Sequence, residues 1–440
     1  MKTFKPNSVV TSLLLASSLT LISACSSSDN ESVNPTADST TPNQPPSDDP
    51  DSTQPIDSEA PTQPITNRDP VDYGYVFTRG PGFESGQIER ISLTDANTID
   101  GMYPATTSDH RVTTDGESIY QIGRFNIDNL TKFSATDTSS IDYQLSVLGN
   151  VEGTSNPQAL AFVDEDLAYL TRRRSDEILI IDPSPDEATS ESLITGEISL
   201  AAYNRDNDGT LDLPDMTNAV IVDDKLFVLL ENLDGFAPVN TGYVVVIDTN
   251  TNLEVDTRQE STFPLLGIEL QTVNPTALHF NDTTGLLYVT GRGNFFNNES
   301  VPGDPYTGGI ESINPTSFQT TLIIDDGEED ANNGFFTDAI VVNDTLGYAI
   351  TLDGFDADFN SINNLRTFNP TTGEVSEPVE DTAGQSLTTL ALGPDNHLWV
   401  GIQSNTPGFI RIDLATGVPA ADRVATNLIP SNIVFIEAER

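Results

Sequence analysis

The amino-acid sequence predicts an all-β fold in which seven four-stranded sheets form a ring, a seven-bladed β-propeller. Two observations support this prediction. From residue 71 onward, short apolar runs alternate with clusters of Gly, Asn, Asp and Pro, and no long helical period interrupts them. The same succession of strands then recurs along this part of the chain, which is typical of sheets arranged around a common axis.

An export signal is predicted at residues 1–24, before the repeats. Lys2 and Lys5 form a short basic start, residues 9–21 are apolar, and small residues precede Cys25. This arrangement resembles a bacterial lipoprotein signal, which implies that Cys25, the only cysteine of the chain, receives a lipid anchor to the membrane. By the same resemblance, Ser26 implies sorting to the outer membrane, facing the periplasm or the cell surface. An ordinary secretory signal with an incidental cysteine is the alternative.

A disordered tether is predicted at residues 25–70. Its composition is dominated by Ser, Thr, Pro, Asp, Asn and Gln, with almost no large apolar side chain. Such a segment cannot bury enough apolar surface to offset the entropy lost on ordering, and its prolines keep it extended. We interpret it as a spacer without chemistry of its own.

The repeats occupy residues 71–440. Two of them open with Asn156-Pro157 and Asn274-Pro275, and each then runs through the same order of strand, turn, strand, loop and strand. Six complete units begin near residues 111, 157, 217, 276, 337 and 387. Residues 431–437 form a first strand without successors, and residues 73–78 and 87–92 form second and third strands without a predecessor. Together they complete a seventh blade, which leaves no open sheet edge in the ring.

These units resemble the seven-bladed propellers of the YVTN and lactonase-like group, which is close to the quinoprotein dehydrogenase-like propellers. The resemblance rests on Leu-Tyr-Val-Thr at residues 287–290, on the two Asn-Pro openings, and on Gly-Tyr-Val-Val-Val-Ile-Asp-Thr-Asn-Thr at residues 242–251. It covers about residues 71–440 and implies an architecture, because propellers host many functions. It leaves a lactonase-like or quinoprotein-like enzyme at the channel mouth as an alternative to a binding module.

The charge balance excludes one class of partner. The chain has 19 Lys and Arg against 67 Asp and Glu, a formal net charge of -48. A polynucleotide needs a basic footprint, so we expect no nucleic-acid partner.

A calcium loop is predicted at residues 204–215, in the connection between two blades. Oxygen-bearing side chains alternate there, Gly209 allows a tight turn at the sixth position, and a carboxylate closes the twelfth. Asp215 stands where the helix-loop-helix version carries Glu, so the loop looks more like calcium loops inserted in propellers. A solvated Asp/Asn turn is the alternative. The predicted ligands are Asn204, Asp206, Asp208, the Thr210 carbonyl and Asp212, together with Asp215 at the twelfth position.

Arginines follow the second strands of four blades, at one end of the ring. Such a cluster could receive a carboxylate or phosphate ligand, unless the arginines pair with the more numerous loop carboxylates. The arginines are Arg79, Arg124, Arg172 (followed by Arg173 and Arg174) and Arg292.

Polar residues at the starts of the first strands are expected to face the central channel. Asn218, Asp338 and Asn432 among them could hold a water cluster or a second cation. In order round the ring, the residues are Arg111, Gln158, Asn218, Thr276, Asp338, Thr389 and Asn432.

The sequence is poorly equipped for catalysis. His110, His279 and His397 lack the spacing of metal ligands, and no Gly-x-Ser-x-Gly elbow occurs. His110 beside Arg111 is the one combination that suggests a base with an anion partner. We therefore predict a calcium-stabilised binding or scaffolding module that presents its loop-rich face to a protein, a glycan or a small anionic molecule.

Overall fold

The computed structural model shows a protein built almost entirely of strands. It describes residues 72–94, 97–185, 187–206, 211–235, 237–238, 240–260, 262–295, 305–328, 331–357 and 360–436. The predicted signal, Cys25 and the tether lie outside these residues. The described residues include one short α-helix, α1 (Ser190–Leu193), and one 3-10 turn at Ala201–Tyr203. No helix among them has the length and apolarity needed to cross a membrane.

The strands share a short length and an antiparallel pairing with their neighbours. In chain order they are β1 (Tyr73–Arg79), β2 (Gly86–Ser92), β3 (Thr98–Met102), β4 (His110–Thr114), β5 (Ser118–Gly123), β6 (Asn129–Ser134), β7 (Ile141–Ser146), β8 (Pro157–Phe162), β9 (Ala168–Arg172), β10 (Glu177–Ile181), β11 (Ile194–Ser199), β12 (Arg205–Asp206), β13 (Leu211–Asp212), β14 (Met216–Val222), β15 (Lys225–Leu230), β16 (Thr241–Asp248), β17 (Leu253–Glu254), β18 (Ile268–Val273), β19 (Pro275–Asn281), β20 (Leu286–Gly291), β21 (Gly309–Ile313), β22 (Thr320–Asp325), β23 (Gly327–Glu328), β24 (Ala331–Asn332), β25 (Phe335–Asn343), β26 (Leu346–Phe355), β27 (Ser361–Phe368), β28 (Val375–Pro378), β29 (Ser386–Leu392), β30 (His397–Gln403), β31 (Gly408–Asp413), β32 (Val424–Ala425) and β33 (Ile429–Ile436).

Seven sheets make up the ring, which confirms the predicted seven-bladed propeller. From the channel outward, blade 1 contains β33, β1, β2 and β3, and blade 2 contains β4–β7. Blade 3 contains β8–β11, blade 4 contains β14–β17 with β18 added beside β16, and blade 5 contains β19–β22. Blade 6 contains β25–β28 and blade 7 contains β29–β32. Two small hairpins, β12–β13 and β23–β24, lie in the connections that lead to blades 4 and 6.

Blade 1 is assembled from both ends of the described chain, as predicted. β33 pairs antiparallel with β1, so that Tyr73 lies opposite Ile436 and Arg79 opposite Ile429. Trp399 of blade 7, fully buried, packs edge-on against Phe435 of β33 with ring centroids 5.6 Å apart. Hydrogen bonds and aromatic packing therefore close the ring at the same blade.

The second strand of each blade is buried on both faces because neighbouring blades stack against each other. Tyr169 and Leu170 of β9, for example, point to opposite faces, and both are fully buried. A strand that is covered on both sides has a continuous apolar sequence, and the second strands show this pattern. Burial of these faces is the main stabilising contribution to the fold.

The repeated Asn and Asp residues have local structural roles. In blades 4 to 7, an Asp or Asn at the end of the third strand accepts hydrogen bonds from two backbone N–H groups, two and three residues later, which turns the chain into the fourth strand. These residues are Asp248, Asn314, Asn369 and Asp413. Asn156, Asp215 and Asn274 precede the innermost strands with φ of 50°, 53° and 55°, a left-handed conformation that Asn and Asp tolerate best among residues with a side chain.

Candidate ligand-binding site at the channel mouth

A central channel runs along the ring axis, and its mouth is the end where the innermost strands begin and the second strands end. The polar residues predicted at the starts of the first strands line it, one from each blade. Six of them border a cavity of about 610 Å³ that opens at the mouth. Gln158 borders an adjoining cavity of about 190 Å³, which shares three lining residues with the first. The seven are Arg111, Gln158, Asn218, Thr276, Asp338, Thr389 and Asn432.

Two arginines of the larger cavity have uncompensated guanidinium groups. Among the residues that the structure describes, the side chains of Arg111 and Arg292 find no hydrogen-bond or ion-pair partner. Burial lowers the pKa of Arg111 to about 10, the nearby Arg124 lowers it as well, and Asp338 raises it. Burial also lowers the pKa of Arg292, whose guanidinium lies over the Phe295 ring at 5.1 Å. Both groups remain cationic at neutral pH, so the cavity presents two unpaired cations.

Asp338 is the acidic side chain of this cavity. It accepts hydrogen bonds from the backbone N–H groups of Leu390 and Ala339, and Arg111 and Arg292 both act on it electrostatically. Burial nevertheless dominates and raises the pKa of Asp338 to about 6. Two cations and one carboxylate leave the cavity with a positive balance, which favours an anion over a cation.

Other channel side chains hold neighbouring blades together. The Asn432 amide exchanges two hydrogen bonds with the Val112 backbone, donating to the carbonyl at 2.7 Å and accepting from the N–H at 3.1 Å. The Asn218 side-chain oxygen accepts from the N–H of Ala219 at 2.9 Å. Of the three residues predicted to hold a second cation, only Asp338 is charged, and it lies beside two guanidinium groups that repel a cation.

The arginines that follow the second strands occupy equivalent positions in their blades. In blade 3, the arginine at this position is not the predicted one. The backbone N–H groups of Arg124 and Arg292 donate to the residue just before the innermost strand, at 2.9 Å in both cases. In blade 3 the residue that makes this hydrogen bond is Arg173, which donates to Asn156 at 3.0 Å, and not the predicted Arg172. Side chains alternate along a strand, so Arg172 points the other way.

Arg172 is fully buried between elements of its own and the preceding blade. Its guanidinium donates to the Leu148 carbonyl at 2.9 Å and lies 3.4 Å from a Glu177 carboxylate oxygen. Because every edge of this side chain is covered by protein, it has no access to the channel mouth and serves the packing of the ring.

The remaining rim arginines differ in their partners. Arg124 forms an ion pair with Asp109, with Nη2 and Oδ1 2.6 Å apart, and Arg173 forms one with Glu231. Arg124 and Arg173 therefore pair with carboxylates, which was the alternative to their binding an anionic ligand. Arg79 donates to the Gln403 side-chain oxygen at 3.0 Å and lies over the Phe83 ring at 4.2 Å, with no carboxylate partner among the described residues.

Comparisons with known proteins concern the fold alone. No family model matches the chain, and no curated protein matches it. Among solved structures, a Bacteroides uniformis protein provisionally assigned as a 6-phosphogluconolactonase is 13% identical, with a TM-score of 0.52, over 84% of this chain and 100% of that one. A Bacteroides fragilis protein with the same provisional assignment is 14% identical, with a TM-score of 0.52, over 85% and 100% of the two chains. At these identities the likeness shows a shared propeller fold.

His110, which the sequence pattern suggested as a base, does not face the cavity. His110 is 5% exposed, and its Nδ1 lies 2.9 Å from the Thr107 carbonyl while its ring packs on Phe77. Burial lowers the pKa of His110, which keeps the ring neutral. Arg111, the next residue along β4, points to the opposite side and into the channel.

His279 borders the cavity but is engaged by the neighbouring blade. Its Nε2 accepts a hydrogen bond from the Val341 N–H at 3.1 Å, and its ring stacks on Tyr288. Burial lowers the pKa of His279 to about 4. A neutral imidazole whose acceptor nitrogen is occupied contributes to the structure and adds no charge to the cavity.

The predicted calcium loop forms a hairpin, β12–β13, that leads into blade 4. Arg205 pairs with Asp212 and Asp206 with Leu211 in its two strands. Residues 207–210, including Asp208 and Thr210, lie outside the described residues. Asp215 turns toward Arg173, with Oδ1 and Nε 3.6 Å apart, and accepts from the Leu233 N–H at 3.1 Å. Across the described part of the chain, no three His, Cys, Asp or Glu side chains form a group that could hold a metal ion.

Sequence reasoning placed Arg111 in the channel but did not identify it as an unpaired cation. Phe295 and Phe355 border the same cavity. Phe295 follows β20 and Phe355 ends β26, so both lie at the mouth, where the second strands end. That no carboxylate forms an ion pair with Arg111 among the described residues depends on how blades face each other across the ring, and no local pattern encodes that.

Proposed function

We propose that the protein is a binding module that holds a small anionic molecule at the channel mouth, between Arg111 and Arg292. One observation carries this proposal: two guanidinium groups face the same cavity without a hydrogen-bond or ion-pair partner among the described residues. Desolvated cations are costly unless a partner compensates them. A carboxylate or phosphate supplies that compensation, because its oxygens match the planar fork of a guanidinium.

The cavity also has a suitable size and lining. Its volume of about 610 Å³ suits a small molecule rather than a protein segment. Phe295 and Phe355 offer apolar wall, and Thr389 and Ser361 offer hydroxyl groups. Pockets that combine a few polar anchors with apolar walls are typical of small-molecule sites.

The test is a binding titration of the purified protein against carboxylates, organic phosphates and uncharged analogues of the same size. We expect anions to bind and uncharged analogues not to bind. Arg111→Gln and Arg292→Gln should each weaken binding by about 10- to 100-fold, the usual effect of a lost charged hydrogen bond. Arg258→Gln is the matched control, since Arg258 pairs with Asp256 and borders another cavity. Binding that both cavity variants leave unchanged would refute the proposal, and so would lactone turnover lost on changing His110.

We also propose that the β12–β13 hairpin binds a calcium ion and that Cys25 carries a lipid anchor. The residues of the hairpin suit a hard cation, because they supply carboxylate and amide oxygens at alternate positions. The Asn204 side-chain oxygen is buried at the base of the hairpin and has no hydrogen-bond partner among the described residues. Its amide nitrogen donates to Asp176 at 2.5 Å, which holds that oxygen in place. Such an ion would stiffen the connection between blades 3 and 4.

A further inference from the structure

A second cavity lies beside the first at the mouth, where blades 6, 7 and 1 meet. Its volume is about 560 Å³, and Ser361 is the one lining residue that it shares with the cavity of Arg111 and Arg292. Amide and hydroxyl side chains line most of it, and Asp356 is its one charged residue among those described. The polar side chains are Asn360, Ser361, Gln385, Ser386, Gln403, Ser404 and Asn405. We name this feature the amide groove.

The polar groups on the groove floor are fixed in place by a chain of hydrogen bonds. Arg79 donates to the Gln403 oxygen at 3.0 Å, the Gln403 amide donates to Asn360 at 2.9 Å, and the Asn360 amide donates to Asp356 at 3.0 Å. The Ser361 and Ser386 hydroxyls are 3.0 Å apart across the same floor. Each amide therefore has a defined orientation before any ligand arrives, which lowers the entropy lost on binding.

Further polar groups in the groove remain open to a ligand. The side-chain amides of Gln385 and Asn405 make no hydrogen bond with any described residue. Together they offer both donors and acceptors along the groove. A ligand with many hydroxyl groups, each able to donate and accept, matches this lining better than an ion does.

Two exposed aromatic rings lie near the groove residues. Phe355 lines the first cavity and precedes the groove residue Asp356, and it is 52% exposed. Phe83, two residues from the groove residue Pro81, is 63% exposed. The Arg79 guanidinium covers one face of the Phe83 ring, at 4.2 Å. Isolated exposed phenylalanines are common, but two of them at the edge of one polar groove mark a binding surface.

We infer that the amide groove is a binding site for a neutral oligosaccharide. Sugar rings combine hydroxyl groups on their edges with flat C–H faces, and the groove pairs fixed amide and carboxylate groups with exposed aromatic rings. A formal net charge of -48 opposes a polyanionic glycan at long range but not a neutral one. A groove shared by three blades fits several linked sugars in preference to one.

The experiment measures binding of the full chain to a panel of neutral oligosaccharides, namely gluco-, manno-, xylo- and galacto-oligosaccharides of four to six units. We expect at least one to bind, and Phe355→Ala, Phe83→Ala and Gln385→Ala each to weaken its binding by at least about fivefold. All three side chains lie at the surface or along the groove, so the variants should fold normally. Phe263→Ala is the matched control, because Phe263 is also exposed but borders a cavity elsewhere.

Two further arms separate this inference from the proposed anion site. Arg111→Gln should leave oligosaccharide binding unchanged, and Phe83→Ala should leave anion binding unchanged. Absence of binding to every neutral oligosaccharide would overturn the inference. Binding only to uronate-containing polysaccharides, lost in Arg79→Gln, would overturn it as well, because the recognised group would then be an anion.

Discussion

At the scale of single residues, Asp338 controls the charge of the channel. It is the carboxylate next to the two unpaired guanidinium groups, and burial raises its pKa to about 6. Above that pH the cavity carries two positive charges and one negative charge. Below it, Asp338 becomes neutral, and Glu231, which also acts electrostatically on Arg292, is the carboxylate that still opposes the two positive charges.

Anion binding should therefore strengthen as the pH falls from 7.5 to 5. The probe is a small sulfonate, whose own charge is constant over this range. We expect its affinity to rise by about tenfold, the effect of removing one nearby like charge. Asp338→Asn should bind at pH 7.5 as tightly as the parent protein does at pH 5, and its affinity should vary little with pH. An affinity that falls on acidification in the parent protein would contradict this role of Asp338.

The sequence predicted which residues line the channel but not how each is used. The repeat pattern aligned Arg111, Asp338 and Asn432, because each stands at the same point of its first strand. Whether such a residue stays open, as Arg111 does, or bonds to the next blade, as Asn432 does, depends on contacts between strands distant in sequence. The choice of Arg172 over Arg173 failed for a related reason, since one residue of register reverses the direction of a side chain.

At the scale of elements, the innermost strands supply Arg111 and Asp338, and the hairpins and strand connections supply further side chains at the mouth. The blades supply rigid positions, and the connections at the mouth supply the groups that differ from blade to blade. The β12–β13 hairpin is the clearest case, because it was recognised in the sequence by its acidic pattern and forms paired strands at Arg205–Asp206 and Leu211–Asp212. The pattern could not show that Asp215 faces Arg173, which comes from blade 3.

If this hairpin binds calcium, removing the ion should destabilise the protein. We expect a chelator to lower the melting temperature by several degrees, since a ligand at 100 times its Kd stabilises the folded state by about 2.7 kcal/mol. Asp206→Ala combined with Asp208→Ala should melt at the lower temperature and should not respond to chelation. Asp282→Ala, at an exposed turn in blade 5, is the control. An unchanged melting temperature after chelation would identify the segment as a turn without a metal.

At the scale of the whole molecule, the formal net charge of -48 and the charge of the cavity at the mouth have opposite signs. The excess carboxylates keep the surface acidic and soluble, whereas the cavity at the mouth has a positive balance. Most of the surface repels an anion, whereas the positive balance at the proposed site would stabilise one. The composition alone excluded a nucleic-acid partner, but only the fold brings Arg111 and Arg292 to the same cavity.

The proposed lipid anchor makes a prediction for the whole protein in cells. With the anchor on Cys25, the protein should fractionate with membranes, and Cys25→Ser should release it to the soluble fraction. Ser26→Ala, next to it, is the control and should leave the protein with the membranes. An identical distribution of the parent protein and Cys25→Ser would show that the cysteine is incidental.

Blade 1, in which both ends of the described chain pair, also distinguishes the two faces of the propeller. Tyr73 and Ile436 lie opposite each other in β1 and β33, at the end of these strands away from the channel mouth, where Arg79 lies opposite Ile429. Residues 73 and 436, at which the strands of the ring closure begin and end, therefore lie on the face of the propeller opposite the anion cavity and the amide groove.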